Sequence, residues 1–101
     1  MDKELFLDIL GIDSTSGKEA GFADFLAERL KTPACRVERF EVGDGTFNLL
    51  FSWGKPEIVF CSHLDTVPPD IAPSVDGGAV RGRGSCDAKG QIFSMYEACR
   101  M

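Results

Sequence analysis

His63 is the only histidine in the chain, and it stands two positions before Asp65 at the end of an apolar run, Val59-Phe60-Cys61-Ser62. Imidazole nitrogen and carboxylate oxygen are donors that zinc accepts readily, whereas a histidine suits magnesium or calcium poorly. Residues two apart on an extended chain project to the same side. The Asp65 carboxylate is therefore placed to accept the ring proton of His63, which fixes the tautomer and strengthens the other nitrogen as a ligand. Further along, Gly82-Arg83-Gly84-Ser85-Cys86-Asp87-Ala88-Lys89-Gly90 holds another carboxylate, Asp87, in a glycine-rich turn. Flanking glycines permit close backbone approach or positive φ, so Asp87 is placed like a rigidly held metal ligand. A plainer account stands beside this one: a hydrogen-bonded histidine at a strand end, Asp65 capping the next turn, and Asp87 as the N-cap of a helix.

Two phosphate-binding readings of the glycine cluster fail. A phosphate-binding loop starting at Gly84 would need its second glycine where Lys89 stands, with a lysine and a hydroxyl residue after it. A dinucleotide fingerprint starting at Gly82 would need a third glycine at Asp87, whose charge would repel a pyrophosphate.

The elements that must position these residues are legible in outline. Leu5, Phe6, Ile9 and Leu10 recur at helical spacing after Asp2 and stop at Gly11. Ser16 followed by Glu19 fits a capping box for a second helix, with Phe22, Phe25, Leu26 and Leu30 on its apolar face and Pro33 beyond its end. Val37 to Val42 and Phe47 to Trp53 read as a hairpin about Gly43-Asp44-Gly45. Glu57 to Ser62 is apolar without alternation, the pattern of a strand covered on both faces, and is expected at the centre of a mixed sheet ending at His63. Thr66 to Pro73 holds three of the five prolines and reads as loop. Asp76-Gly77-Gly78 marks a small hairpin between Val75 and Val80, and Ile92, Phe93, Tyr96 and Cys99 mark a last helix from Lys89. The fold class expected is α/β, with helices packed on a mixed β-sheet.

Composition sets the limits. With 101 residues, 44% hydrophobic and 27% charged, the chain suits one globular core. A net charge of -5 without a basic cluster argues against nucleic acid as a partner. No apolar stretch has the length of a signal sequence core or a membrane span, so the expectation is a cytoplasmic protein without a membrane partner. Cys35, Cys61, Cys86 and Cys99 form no Cys-x-x-Cys and read as reduced thiols, with Cys61 and Cys99 as small buried hydrophobes.

Taken together, Ser62-His63-Leu64-Asp65-Thr66-Val67-Pro68 and the segment from Asp76 to Gly90 resemble the two signature segments of the zinc-dependent amidohydrolase and exopeptidase family. That family contains acetylornithine deacetylase, succinyl-diaminopimelate desuccinylase, glutamate carboxypeptidase, dipeptidases and aminoacylases. The resemblance implies that His63 binds one zinc ion, that Asp87 bridges two, and that Asp65 is the catalytic-site carboxylate orienting His63. Cobalt is an alternative ion, and relatives often have a cis peptide bond just after the bridging aspartate. Ala88 stands where many relatives have methionine. The implied reaction is hydrolysis of an amide bond in an N-acyl amino acid, acetylornithine first, or in a small peptide, by a full-length protein that forms a homodimer in one expected assembly.

In such relatives an adjacent glutamate pair supplies a general base and a ligand some tens of residues after the bridging aspartate, and a second histidine follows. Neither fits before Met101. Residues 1–101 are accordingly expected to be the amino-terminal part of a di-zinc catalytic domain, inactive alone, with the rest of that domain and an accessory domain absent from this chain. The alternative is a truncated noncatalytic module with a partial metal site that acts by binding or has no independent activity. Glu97 and Asp76 are spare carboxylates with no assigned role, and Arg83 is either paired with an acidic neighbour or solvated.

Overall fold

A computed structural model describes residues 2–43 and 45–100; Asp44, in the expected hairpin turn, lies outside the described residues. Helix α1 spans Lys3–Gly11 and begins where Asp2 accepts the Leu5 N–H at 2.9 Å, satisfying one of the donors a helix start leaves open. Helix α2 spans Glu19–Arg29 and presents Phe22, Ala23, Leu26 and Ala27 inward. Strands β1 (Cys35–Gly43) and β2 (Thr46–Trp53) form an antiparallel hairpin in register from Cys35 opposite Trp53 to Gly43 opposite Thr46, with an irregularity between Glu41 and Gly43. The short β3 (Ser74–Asp76) and β4 (Ala79–Arg81) form a second hairpin, and α3 spans Lys89–Cys99.

One core joins the elements. Leu5 and Ile9 of α1, Phe22 and Leu26 of α2, Leu30, and Phe93 and Tyr96 of α3 are buried together, and Leu49, Phe51 and Trp53 of β2 pack against them. Phe6 stacks on Phe93 with ring centroids 5.0 Å apart, and Trp53 meets Tyr96 at 6.1 Å, joining α1 and the first hairpin to α3. The three helices, both hairpins and the proline-rich loop follow the expectation from sequence.

The sheet differs in detail. Instead of one mixed sheet there are two separate antiparallel pairs. Residues 56–65 have no strand pairing, and Ile58, Val59 and Phe60 are 75%, 77% and 53% exposed. An apolar run becomes a central strand only when neighbours accept its backbone hydrogen bonds on both edges, and no described segment does so here. Cys61 is exposed for the same reason, which corrects its assignment as a buried residue, and Cys99 is half-buried. No helix among the described residues is long and apolar enough to cross a membrane.

Candidate metal centre

The apolar run ends at His63, and Thr66, three residues on, is fixed by the loop between α1 and α2. Thr66 N–H donates to the Ser14 carbonyl at 2.9 Å, Ser16 N–H donates to the Thr66 carbonyl at 3.0 Å, and Thr15 and Thr66 form an isolated parallel bridge. That loop is itself secured. The Asp13 carboxylate accepts both the N–H and the hydroxyl of Thr15, at 3.0 and 2.9 Å, which holds its carboxyl below the usual range. The buried Lys89 ammonium donates to the Ile12 carbonyl and lies 4.4 Å from the Phe22 ring centroid.

Asp87 is positioned by close backbone packing. Gly84 has φ +88, and a Cβ there would press on the Lys89 side chain and Thr66 Cγ2. A Cβ on Gly90 would collide with the Ser85 carbonyl oxygen, while Gly90 N–H donates to the Gly84 carbonyl at 3.2 Å. The loop thus folds back on the start of α3. The Asp87–Ala88 peptide bond is cis, a point that the sequence left open. Ala88, not Asp87, occupies the N-cap of α3, and no side chain caps that helix.

The Asp87 carboxylate turns instead toward His63. Nε2 of the imidazole lies 3.0 Å from Asp87 Oδ1, while Nδ1 lies 2.9 Å from the Asp65 carbonyl and 3.2 Å from Asp65 Oδ1. Asp65 Oδ2 accepts a 2.9 Å hydrogen bond from the Ser16 hydroxyl. The three residues named from the sequence are therefore brought together, and neither aspartate serves as a helix cap. Sequence reasoning missed Ser16, which it assigned to a capping box; α2 has no side-chain cap, and Glu19 accepts from Gly17 N–H at 2.5 Å.

A backbone carbonyl only accepts, so Nδ1 carries a proton. A neutral ring has no second proton, yet Nε2 faces another acceptor, the Asp87 carboxylate. A further proton or a cation must therefore sit between Nε2 and Oδ1. In the metal-free chain the hydrogen bond to the Asp65 carbonyl, with the Asp87 and Asp65 carboxylates adding to it, pushes the His63 pKa above 6.5, against partial burial.

His63, Asp65 and Asp87 line a cleft with Arg83, Ser85 and Cys86, and the cleft lining contains no glutamate. Among the described residues no three His, Cys, Asp or Glu side chains surround one point where an ion could sit, because Asp65 lies on the far side of the ring. Arg83 donates through Nε to the Pro69 carbonyl at 2.8 Å. Asp76 and Glu97 approach Arg81 and Arg100, which accounts for both spare carboxylates.

Residues 59–101 match the model of peptidase family M20/M25/M40. A LysW-lysine/LysW-ornithine hydrolase of Sulfurisphaera tokodaii is 37% identical over 96 residues, covering 95% of this chain and 26% of that protein. A peptidase M20 domain-containing protein of Schizosaccharomyces pombe is 35% identical over 92% of this chain and 26% of its own length. Over most of its length the chain resembles M20 family members. The M20 match includes His63, Asp65 and Asp87, and the similarity to relatives extends over the α1–α2 region as well. The chain spans about a quarter of the length of these relatives. No solved structure matches the chain.

Proposed function

We propose that this chain supplies the first ligands of a zinc centre in an enzyme that hydrolyses the amide bond of an N-acyl amino acid. The observation that carries the proposal is the acceptor-to-acceptor meeting of His63 Nε2 and Asp87 Oδ1 at 3.0 Å. Two ligands of one tetrahedral zinc, with bonds of about 2.0–2.1 Å, lie roughly 3.3 Å apart. The pair is within a few tenths of an ångström of that spacing, and a divalent cation satisfies both acceptors at once. His63 Nε2 and one Asp87 oxygen would hold one ion, the second Asp87 oxygen would be available to another, and Asp65 would keep the ring in the Nδ1–H tautomer. Cobalt suits the same donors. Bound there, such ions polarise an amide carbonyl and lower the pKa of water.

LysW-lysine and LysW-ornithine, in the name of the S. tokodaii relative, point to derivatives of basic amino acids as the first substrates to try. N-acetylornithine presents the same class of bond, and a small peptide is the next candidate. Two facing donors without a glutamate in the cleft are too few for turnover, so the 101-residue chain is proposed to bind the ion without efficient hydrolysis.

The test is zinc-dependent release of free amino acid from N-acetylornithine and from LysW-lysine, by this chain and by the longest product of its reading frame. Release by the longer product that falls more than roughly 100-fold in His63→Ala and Asp87→Asn supports the proposal, since losing a ligand should exceed the 10–100-fold cost of losing its outer partner. Hydrolysis unchanged in either variant would refute the ligand assignment. Turnover by the 101-residue chain alone would refute its inactivity.

A further inference from the structure

We infer that Ser16 is a positioning residue for the His63 ligand, acting through Asp65. The inference rests on the reading of His63 as a metal ligand. Asp65 faces the imidazole with both its carbonyl and Oδ1, so the rotation of its carboxylate decides how much negative charge reaches Nδ1. Its other oxygen, Oδ2, accepts from the Ser16 hydroxyl at 2.9 Å across 49 residues of sequence. A carboxylate held at one oxygen cannot swing its other oxygen into solvent without breaking that bond.

The donor is itself held in place. Ser16 is fixed by its backbone bond to Thr66, the residue next to Asp65, and Thr66 is fixed in turn to Ser14. Ser14 is fully buried and Thr66 nearly so. Asp13 clasps Thr15 on the same loop, and Lys89 fastens Ile12 to the start of α3, two residues from Asp87. One loop is thereby tied to both ligand-bearing segments. The Ser16 hydroxyl is free for this role because α2 is not capped by it.

Ser16 is exposed, so removing its oxygen leaves no buried cavity and should leave the fold intact. The experiment titrates the 101-residue chain with Zn2+ alone, following the backbone amide resonances of Gly84 and Asp87 by NMR. Ring 15N shifts of the sole histidine report its tautomer in the metal-free protein. Ser16→Ala is expected to weaken Zn2+ binding by about 3- to 10-fold, below the roughly 10- to 100-fold typical of a carboxylate that touches the ligand, and to lower the Nδ1–H fraction. Ser16→Thr, which keeps the hydroxyl, should return affinity to within about twofold of the parent on the same basis. His63→Ala separates the two ideas. If it abolishes the saturable response while Ser16→Ala binds like the parent, or Ser16→Thr binds no better than Ser16→Ala, the role of Ser16 is overturned and the ligand reading stands. If His63→Ala leaves the response intact, the ligand reading itself falls.

Discussion

On the proposed reading, protons and zinc compete for one nitrogen, Nε2 of His63. Because the Asp65 carbonyl, and then the Asp87 and Asp65 carboxylates, favour the imidazolium, His63 in the metal-free protein should titrate above 6.5, and Asp87→Asn should bring it back toward that value. The sign for stability follows: the charged ring contributes fully below 6.5, and the contribution fades as pH rises through the raised folded value. With the His63 side chain 53% exposed, solvent screening keeps that contribution small, so the ring resonances measure it better than a melting curve does. Zinc affinity should move the opposite way, rising with pH until His63 has lost its second proton. A ring pKa at or below 6.5 would contradict the geometry described here. At this scale the grouping of His63, Asp65 and Asp87 was legible because residue type and spacing single them out. Ser16 was not: its nearest sequence partner, Glu19, completes a local capping pattern, whereas its observed acceptor is Asp65.

The elements explain why the His63 and Asp87 segments, separated by a proline-rich loop, meet at all. The Asp87 loop is folded back on α3 so closely that Gly90 has no room for a methyl group beside the Ser85 backbone. Backbone cannot give way as a flexible side chain can, so Gly90→Ala should cost roughly 1–3 kcal/mol, read by urea unfolding, and should weaken Zn2+ binding as Asp87 shifts. A variant as stable as the parent would show that the loop relaxes freely. Lys89 tests the other tie. Its stem packs beside Gly84, so Lys89→Met, which keeps the stem, should be less destabilising than Lys89→Ala, which loses stem and ammonium together. Equal losses in urea would assign the whole effect to the ammonium. The helices and hairpins were readable from sequence because each is set by local periodicity, a cap or a turn. The boundary of α2 was less so, since the Ser16–Glu19 signal is satisfied by contacts other than a cap.

The whole molecule measures 39 × 35 × 20 Å, a flattened body whose core lies among the helices and one hairpin. The apolar segment that leads to His63 lies outside that core, with Ile58, Val59 and Phe60 largely in water. The unbroken apolar run from Glu57 to Ser62 predicts a strand covered on both faces, and the structure leaves it unpaired, because coverage is a property of neighbours that the run itself does not carry. Such a segment has unpaired backbone groups as well as apolar side chains, the combination that recruits another chain by strand addition. Covering the exposed parts of the three side chains would gain roughly 3–6 kcal/mol per chain, or about 6–12 kcal/mol for a pair, similar to the cost of about 4–15 kcal/mol for bringing two chains together. The balance predicts weak, concentration-dependent self-association rather than an obligate dimer. Light scattering on the 101-residue chain should show mass rising with concentration, and Val59→Lys, which places a charge in the middle of the run, should shift the population toward monomer. A monodisperse monomer at every concentration would mean that the run is protected in solution, and the same chain would then bind Zn2+ without interference from association.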